Sequence, residues 1–507
     1  MSTIKAFIKA DTKEQKASTG SLSALFADMP KVKLIDTPVV IAFIITAAVW
    51  LGFVQAAGWF LAMKFHAPWF GHSMWTHFGR FRAVHTSGMA LAGFGTFLMG
   101  LSYYMIPKLT GRRMAFGPKM GWAIFTLWNL SLIVGFISVM IGDNPGIEVA
   151  DLGPYASIPL FIAFAMFAAT VLTTILTRKE EKMYVSLWYL TVCVIWASMN
   201  LILGYVIIPN FTWGVDNMNL HGAYLHYTVG LLITPGGLAI IYYFLPLAAQ
   251  RPLYSHKLSL IGFWTIALVY PFVGAHHYLY SPLPKWVQDI AIATSWLLMV
   301  PVLTVTQNFY GTMTGNWKRF NQNHGVRFLL LGAFWYFLGS LQGSLESFRA
   351  VQDLTHFTDF VVGHAHMATY GAFILFISAG GYYVIPRVTG RRLYSKALAD
   401  WHWWLTVIGL TGMLAVLTFQ GPLQGQMWAS GIDFVDSMAA MIPYWEMRTF
   451  FGWLSDVSQI LYAINIILTV VKGQKVPNAT DDFIEPKQRT KEIEELLALK
   501  ETITVQK

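Results

Sequence analysis

Twelve long apolar stretches separated by short polar segments dominate the chain: residues 38–64, 83–106, 119–142, 156–177, 184–208, 221–247, 257–280, 287–309, 326–350, 361–386, 399–423 and 443–472. About 20 consecutive apolar residues suffice for a helix to cross a hydrocarbon core. The pattern predicts an all-α membrane protein of twelve transmembrane helices over residues 37–472, with charged tails at 1–36 and 473–507. The first tail carries lysines and acids but no apolar signal-peptide core, so it reads as a cytoplasmic segment, and the last as a second one.

The segments between spans alternate in charge. Lys108, Arg112, Arg113 and Lys119 follow the second stretch, Arg178, Lys179 and Lys182 the fourth, Arg251 and Lys257 the sixth, Lys318, Arg319 and Arg327 the eighth, and Arg387, Arg391, Arg392 and Lys396 the tenth. The segment after the third stretch instead carries Asp143, Glu148 and Asp151, and that after the eleventh Asp433 and Asp436. The positive-inside rule then puts the ends of even-numbered spans, and both termini, in the cytoplasm. Lys64, Arg80 and Arg82, between the first two spans, break the alternation.

A short echo closes three spans: Tyr103-Tyr104-Met105-Ile106-Pro107, Tyr242-Tyr243-Phe244-Leu245-Pro246 and Tyr382-Tyr383-Val384-Ile385-Pro386. It reads as an interfacial aromatic belt with a proline helix stop. It also sets a ruler. His85, His226 and His364 lie 18, 16 and 18 residues before the three tyrosine pairs. At a helical rise of 1.5 Å these are roughly 24–27 Å, so the three imidazoles share one depth toward the outer face.

Composition narrows the chemistry. Of 507 residues 55% are hydrophobic and 12% charged, against about 25% charged in soluble domains. Mean hydropathy is +0.50. A soluble or disordered protein is excluded, and the net charge of +9 reports loop topology rather than a nucleic-acid partner. The one cysteine, Cys193, leaves no disulfide, no thiolate cluster and no attachment motif for a c-type haem. The 14 histidines remain as the main candidate metal ligands.

Six of them, His85, His226, His276, His277, His364 and His366, fall at outer ends of the second, sixth, seventh and tenth spans. An imidazole inside an apolar helix is costly and by default functional. His364 and His366 point about 200° apart on a helix and so serve two metals on opposite sides. Adjacent His276 and His277 could hold one ion if the helix loosens there, which Gly274 permits. Imidazole-only sites suit copper, iron and zinc. Arg80 and Arg82, just before His85, match the carboxylates of a haem.

The stretches Arg82-Ala83-Val84-His85-Thr86, Leu225-His226-Tyr227-Thr228-Val229-Gly230, Tyr270 through Gly274-Ala275-His276-His277, and Gly363-His364-Ala365-His366-Met367 resemble the catalytic subunit of haem–copper oxidases, most closely the cbb3-type cytochrome c oxidases. The similarity spans about residues 80–470. The resemblance implies that His85 and His366 are the axial ligands of a low-spin haem b, that His364 holds a high-spin haem b3, and that His226, His276 and His277 ligate copper. It makes Tyr270 the redox-active tyrosine, cross-linked to the copper histidine of the sixth span. It assigns Arg80 and Arg82 to haem propionates, beside which a calcium ion is a further candidate. It implies a multi-pass protein of the bacterial inner membrane that reduces O2 to water and translocates protons. Electrons would come from membrane-anchored c-type cytochrome subunits and a soluble or membrane cytochrome c donor, since the chain has no c-haem motif.

Two departures bear on the haem b3 side. The family's phenylalanine–glutamate–glycine element reads Leu341-Gln342-Gly343 here, with Glu346 one turn on, and Gly-Pro before the histidine pair reads Gly274-Ala275. For proton entry, Tyr242, Tyr254, Ser255, His256 and Ser259 surround the inner ends of the sixth and seventh spans, with Tyr242 and Ser259 inside helices and Gln342 and Glu346 as further candidates. A nitric oxide reductase is the nearest alternative. It would place a glutamate where this chain has Gly230 and would lack Tyr270, so both positions favour the oxidase. A twelve-helix secondary transporter would show internal repeats and helices broken at mid-membrane, beyond the short tyrosine echo.

Overall fold

The computed structural model describes residues 34–476. Among the described residues twelve helices are long and apolar enough to cross a membrane: α1 (Thr37–His66), α2 (Phe78–Thr110), α3 (Gly117–Ile141), α4 (Pro154–Leu176), α5 (Val185–Phe211), α6 (Gly214–Ala249), α7 (His256–Tyr278), α8 (Lys285–Thr312), α9 (His324–Glu346), α10 (Asp359–Thr389), α11 (Lys396–Ala429) and α12 (Phe434–Lys472). Among the described residues the only β pairing is an isolated bridge between Arg391 and Lys475. The expected tails lie outside the described residues, apart from residues 34–36 and 473–476.

Several helices outrun their apolar stretches. α12 begins at Phe434, nine residues before the hydrophobic run, so Asp436 is a helical first-turn residue rather than a loop acid. A carboxylate there complements the helix dipole. α7 is shorter as an α-helix than expected. It ends at Val269, and Tyr270–Phe272 and Gly274–Tyr278 continue as two 3-10 turns. The loosening anticipated at Gly274 thus starts four residues earlier, at the Tyr270-Pro271 step.

α2 and α6 form the centre of the bundle, with 94% and 100% of their apolar windows buried against 28–56% for the others. The tyrosine echo belongs to this centre, which corrects the belt reading. Tyr103, Tyr104, Tyr242 and Tyr243 are at most 2% exposed. Tyr104 meets Tyr243, Phe244 and Tyr383 at ring-centroid distances of 6.4–6.5 Å, so the three echoes converge into one aromatic cluster. Nor do the prolines stop the helices: each runs on for three residues, to Thr110, Ala249 and Thr389. A proline that close to a C-terminus forfeits one late hydrogen bond and little else.

The three echo helices share a second feature. π-helical segments occupy Gly88–Gly95, Thr228–Ile233 and Met367–Ile374, each opening within three residues of His85, His226 or His366. A π turn inserts an extra residue, widens the helix and occurs mostly at functional sites. The first is braced by α3: Trp128, 1% exposed, donates its indole N–H to Thr96 Oγ1 at 3.0 Å. Trp128→Ala is expected to cost about 3–5 kcal/mol of stability, as for large-to-small changes in a packed interior. Thermal unfolding in detergent measures this, and an unchanged midpoint would contradict the bracing role.

Candidate functional site

All six histidines line one cavity of 460 Å³. They divide into a facing pair, a triad and a single ring.

The pair is His85 on α2 and His366 on α10. Their ring centroids are 6.1 Å apart with planes 21° from parallel. His85 Nδ1 lies 2.6 Å from the Val54 carbonyl, and His366 Nδ1 lies 2.8 Å from that of Val362. A carbonyl only accepts, so each Nδ1 carries the proton and each Nε2 keeps its lone pair. Two such rings hold one metal between them at about 2 Å from each nitrogen. The spacing fits a flat cofactor clamped on both faces.

The triad is His226 on α6 with His276 and His277 on the unwound end of α7. Their ligating atoms lie within 4.8 Å of one another. His276 Nδ1 is 2.8 Å from Ser295 Oγ, which spends its own proton on the Ala291 carbonyl, so His276 also keeps Nε2 free. His226 Nδ1 is 3.2 Å from His277 Nε2, two nitrogens that a shared ion would draw together. Among the described residues no carboxylate joins the triad, and three neutral imidazoles suit a borderline metal such as copper.

Tyr270 stacks against His226 at 4.7 Å. Its ring lies directly on Gly230: a Cβ there would collide with the ring carbons and the hydroxyl. No side chain fits at 230 while Tyr270 holds this position. His364, the single ring, packs on Gly343, where a Cβ would lie 2.7 Å from the ring's Cε1. Glu346 Oε2 lies 3.7 Å from His364 Nδ1, and Glu346 lines the cavity. Gln342 instead reaches toward Thr418 on α11 at 3.4 Å. Of the two candidates, Glu346 is the one at the histidine.

Arg80 and Arg82 both have partners within the protein. Arg80 donates to the Met74 and Met140 carbonyls, the latter at the end of α3. Arg82 pairs with Glu148. Lys64 bonds the Phe70 carbonyl at 3.1 Å. All three charges that broke the alternation have local partners, and neither arginine lines the cavity. Arg448 of α12 does. It is held by Asp359 at 3.1 Å, and Asp359 also accepts from Trp445 and Gln420. The sequence did carry a signal for Arg448, an arginine inside an apolar span. Nearby, Asp151 accepts from Ser87 at 2.6 Å, two residues beyond His85, and burial pushes its carboxyl above the usual range.

At the tyrosine ends of the helices, Tyr242 and Ser259 are fully buried. Asn308, which sequence reasoning missed, donates to the Tyr242 hydroxyl at 3.5 Å and the Ser255 carbonyl at 2.8 Å. Ser255 caps α7 through Leu258 N–H, and Tyr254 is 54% exposed. These two shape the helix end rather than reach into the bundle.

The family model for "Cytochrome C and Quinol oxidase polypeptide I" matches residues 38–454. The chain is 31% identical to a cytochrome c oxidase subunit 1 homolog of Agrobacterium tumefaciens, over 87% of this chain and 85% of that one. It is 30% identical to a cbb3-type cytochrome c oxidase subunit of Stutzerimonas stutzeri, over 85% and 94%. It is also 30% identical to cytochrome c oxidase subunit 1 of Rhodobacter capsulatus, over 81% and 80%. A solved heme-copper terminal oxidase dimer has the same fold, with a TM-score of 0.72 at 13% identity over 88% of this chain and 86% of that one.

Asp359→Leu would strand Arg448 as an uncompensated buried charge, and breaking such a pair costs about 3–5 kcal/mol. Asp359→Asn, which keeps an acceptor, should cost less. Thermal midpoints of the two variants measure the difference, and equal values would mean that the charge pair does not hold α10 to α12.

Proposed function

Since the chain belongs to the cytochrome c and quinol oxidase polypeptide I family, we propose that it is the catalytic subunit of a cbb3-like oxidase that reduces O2 to water and translocates protons. The observation that carries the reading is the seat of Tyr270 against His226 and Gly230. A glutamate at 230, the mark of the nitric oxide reductases, cannot share that space with the tyrosine.

His85 and His366 would hold the low-spin haem b, His364 the high-spin haem b3, and His226, His276 and His277 the copper. These groups, when bound, supply the electrons and the metal site for O2. The residues around them do the rest. Val54 and Val362 carbonyls fix the tautomers of His85 and His366, and Ser295 fixes that of His276. Beside Arg80 and Arg82, Arg448 is a further guanidinium for a haem propionate, lining the cavity and pre-organised by Asp359. Tyr270 O–H can give one proton and one electron where the O–O bond is cleaved. Tyr242 and Ser259, with Asn308, offer the proton path from the tyrosine end. The basic segments at that end support a cytoplasmic side, with both termini, in a bacterial inner membrane. Electrons would enter from c-type cytochrome partners.

Purified protein should show two b-type haems and one copper per chain, read by reduced-minus-oxidised spectra and metal analysis; an extra iron without copper would indicate the reductase. His85→Ala should lose the low-spin signal, while His276→Ala keeps both haems and loses copper.

Tyr270→Phe keeps the ring on Gly230 and removes only the hydroxyl. Oxygen consumption should fall at least 100-fold, about 3 kcal/mol, with haem and copper contents unchanged. Wild-type oxygen turnover in this variant would remove Tyr270 from the reaction.

A further inference from the structure

The end of α7 lies against α6 in a run of close contacts, the two helices antiparallel. Following α6 from its start, the Tyr278 ring covers Gly222, where a Cβ would collide with it. A Cβ on Gly274 would lie 2.9 Å from the Ala223 Cα. The His277 ring lies 5.3 Å from that of His226, and Tyr270 covers Gly230. Between the last two comes a directional bond from a side chain to the α7 backbone. Tyr227, next to His226, donates its hydroxyl proton to the Pro271 carbonyl.

That carbonyl sits where α7 gives up α geometry. The Tyr270 N–H still bonds the Ile266 carbonyl, and Tyr270–Phe272 then turns as a 3-10 segment. Proline lacks an N–H and its ring crowds the carbonyl four residues back, so Pro271 enforces the break. A broken ladder in an apolar span leaves backbone groups that need partners other than water. Pro271 is exposed and Phe272 is 59% exposed, so this backbone lies at the outside of the bundle. A phenylalanine at 227 would fill the same space with no hydroxyl to satisfy, so the hydroxyl calls for a role.

Four residues form a closed loop of contacts. His226 and Tyr227 are joined along α6, and Tyr270 and Pro271 along α7. Tyr227 bonds Pro271, and Tyr270 stacks on His226 at 4.7 Å. Stacked rings slide with little resistance, whereas a hydroxyl-to-carbonyl bond has a direction. Tyr270 cannot slide along His226 without straining the Tyr227–Pro271 bond.

We propose that Tyr227 is a positioning residue for the reaction: its bond to the Pro271 carbonyl fixes the break in α7 and so holds the Tyr270 hydroxyl at the triad. The inference rests on the oxidase reading, in which Tyr270 gives a proton and an electron where the O–O bond is cleaved. Tyr270 lines the cavity and Tyr227 does not, so Tyr227 acts only through Tyr270. Without the bond the 3-10 segment is free to swivel, and a fraction of the molecules present the hydroxyl out of place. The metal ligands stay, since Ser295 holds His276 independently. The loss falls on kcat and leaves the KM for oxygen alone.

The test uses the enzyme with its native partner subunits. Oxygen uptake, haem and copper contents are measured, together with the tyrosyl radical signal in electron paramagnetic resonance after addition of hydrogen peroxide. Tyr227→Phe should lower kcat roughly three- to ten-fold, in line with the cost of small misplacements, and the radical yield at least two-fold. The KM for oxygen and the metal contents should not change. In a Tyr270→Phe background, adding Tyr227→Phe should lower turnover no further, because the residue through which it acts is gone. 4-Aminophenylalanine at position 227 keeps a donor at the same reach and should hold kcat within about two-fold of the parent. Parent kcat and radical yield in Tyr227→Phe overturn the proposal. So does a further fall in the double variant, a fall with 4-aminophenylalanine equal to that of Tyr227→Phe, or a loss of copper or haem, which would assign the contact to the metal sites or the fold. Parent turnover in Tyr270→Phe alone would instead sink the role of Tyr270 in the oxidase reading.

Discussion

An imidazole placed in an apolar bundle has one N–H to satisfy and one lone pair to offer, and no water to help with either. The protein resolves this at three of the six histidines by pinning the N–H to a fixed acceptor. His85 and His366 use backbone carbonyls of Val54 and Val362. His276 uses Ser295, whose hydroxyl is itself oriented by the Ala291 carbonyl. With the proton fixed on one nitrogen, the other must face the cavity. These three rings are therefore pre-organised by ordinary helix packing, and a metal meets lone pairs on them that need no rearrangement.

That arrangement explains the irregular helices around it. A straight α-helix lets His85, His226 and His366 reach the cavity but packs its next turn tightly. The π segments that follow all three histidines spread the turn, and the backbone widens where large groups must fit. α7 answers the same demand in the opposite sense. A regular helix would direct consecutive side chains about 100° apart, and α7 gives way to two short 3-10 turns from Tyr270 to Tyr278, where His276 and His277 both have a ligating atom within 4.8 Å of that of His226.

Much of this was legible from residue types alone. Twelve apolar runs yield twelve helices, and the shared 16–18 residue spacing put the histidines at one depth. The tyrosine echo was read as an interface because aromatic pairs beside basic loops usually are. It failed because that rule describes lipid-facing helices, and α2 and α6 face none. Arg80 and Arg82 drew attention by lying next to His85 in sequence. Arg448, 82 residues beyond His366, is the guanidinium that reaches the cavity. Adjacency along the chain is a poor guide to adjacency across a bundle, where α12 packs on α1 and α11. Helix irregularities were the least legible, since π and α turns use the same residues and differ only in what the neighbouring helices demand.

The Tyr270–Gly230 contact ties substrate choice to packing. Two residues 40 positions apart occupy one volume, so a side chain at 230 and a ring at 270 are alternatives. A carboxylate at 230 would add a hard oxygen ligand to the triad and favour iron, while removing the hydroxyl that can donate a hydrogen atom. A bare Gly230 leaves three imidazoles, suited to copper, and admits that hydroxyl. Metal preference and the source of a fourth electron thus change together, in a single steric step. The same reasoning accounts for Glu346. With Gln342 turned to Thr418, the only carboxylate on α9 near His364 sits one turn further along, and Gly343 keeps the intervening face open for the ring. In both places the smallest residue decides which larger group does the chemistry.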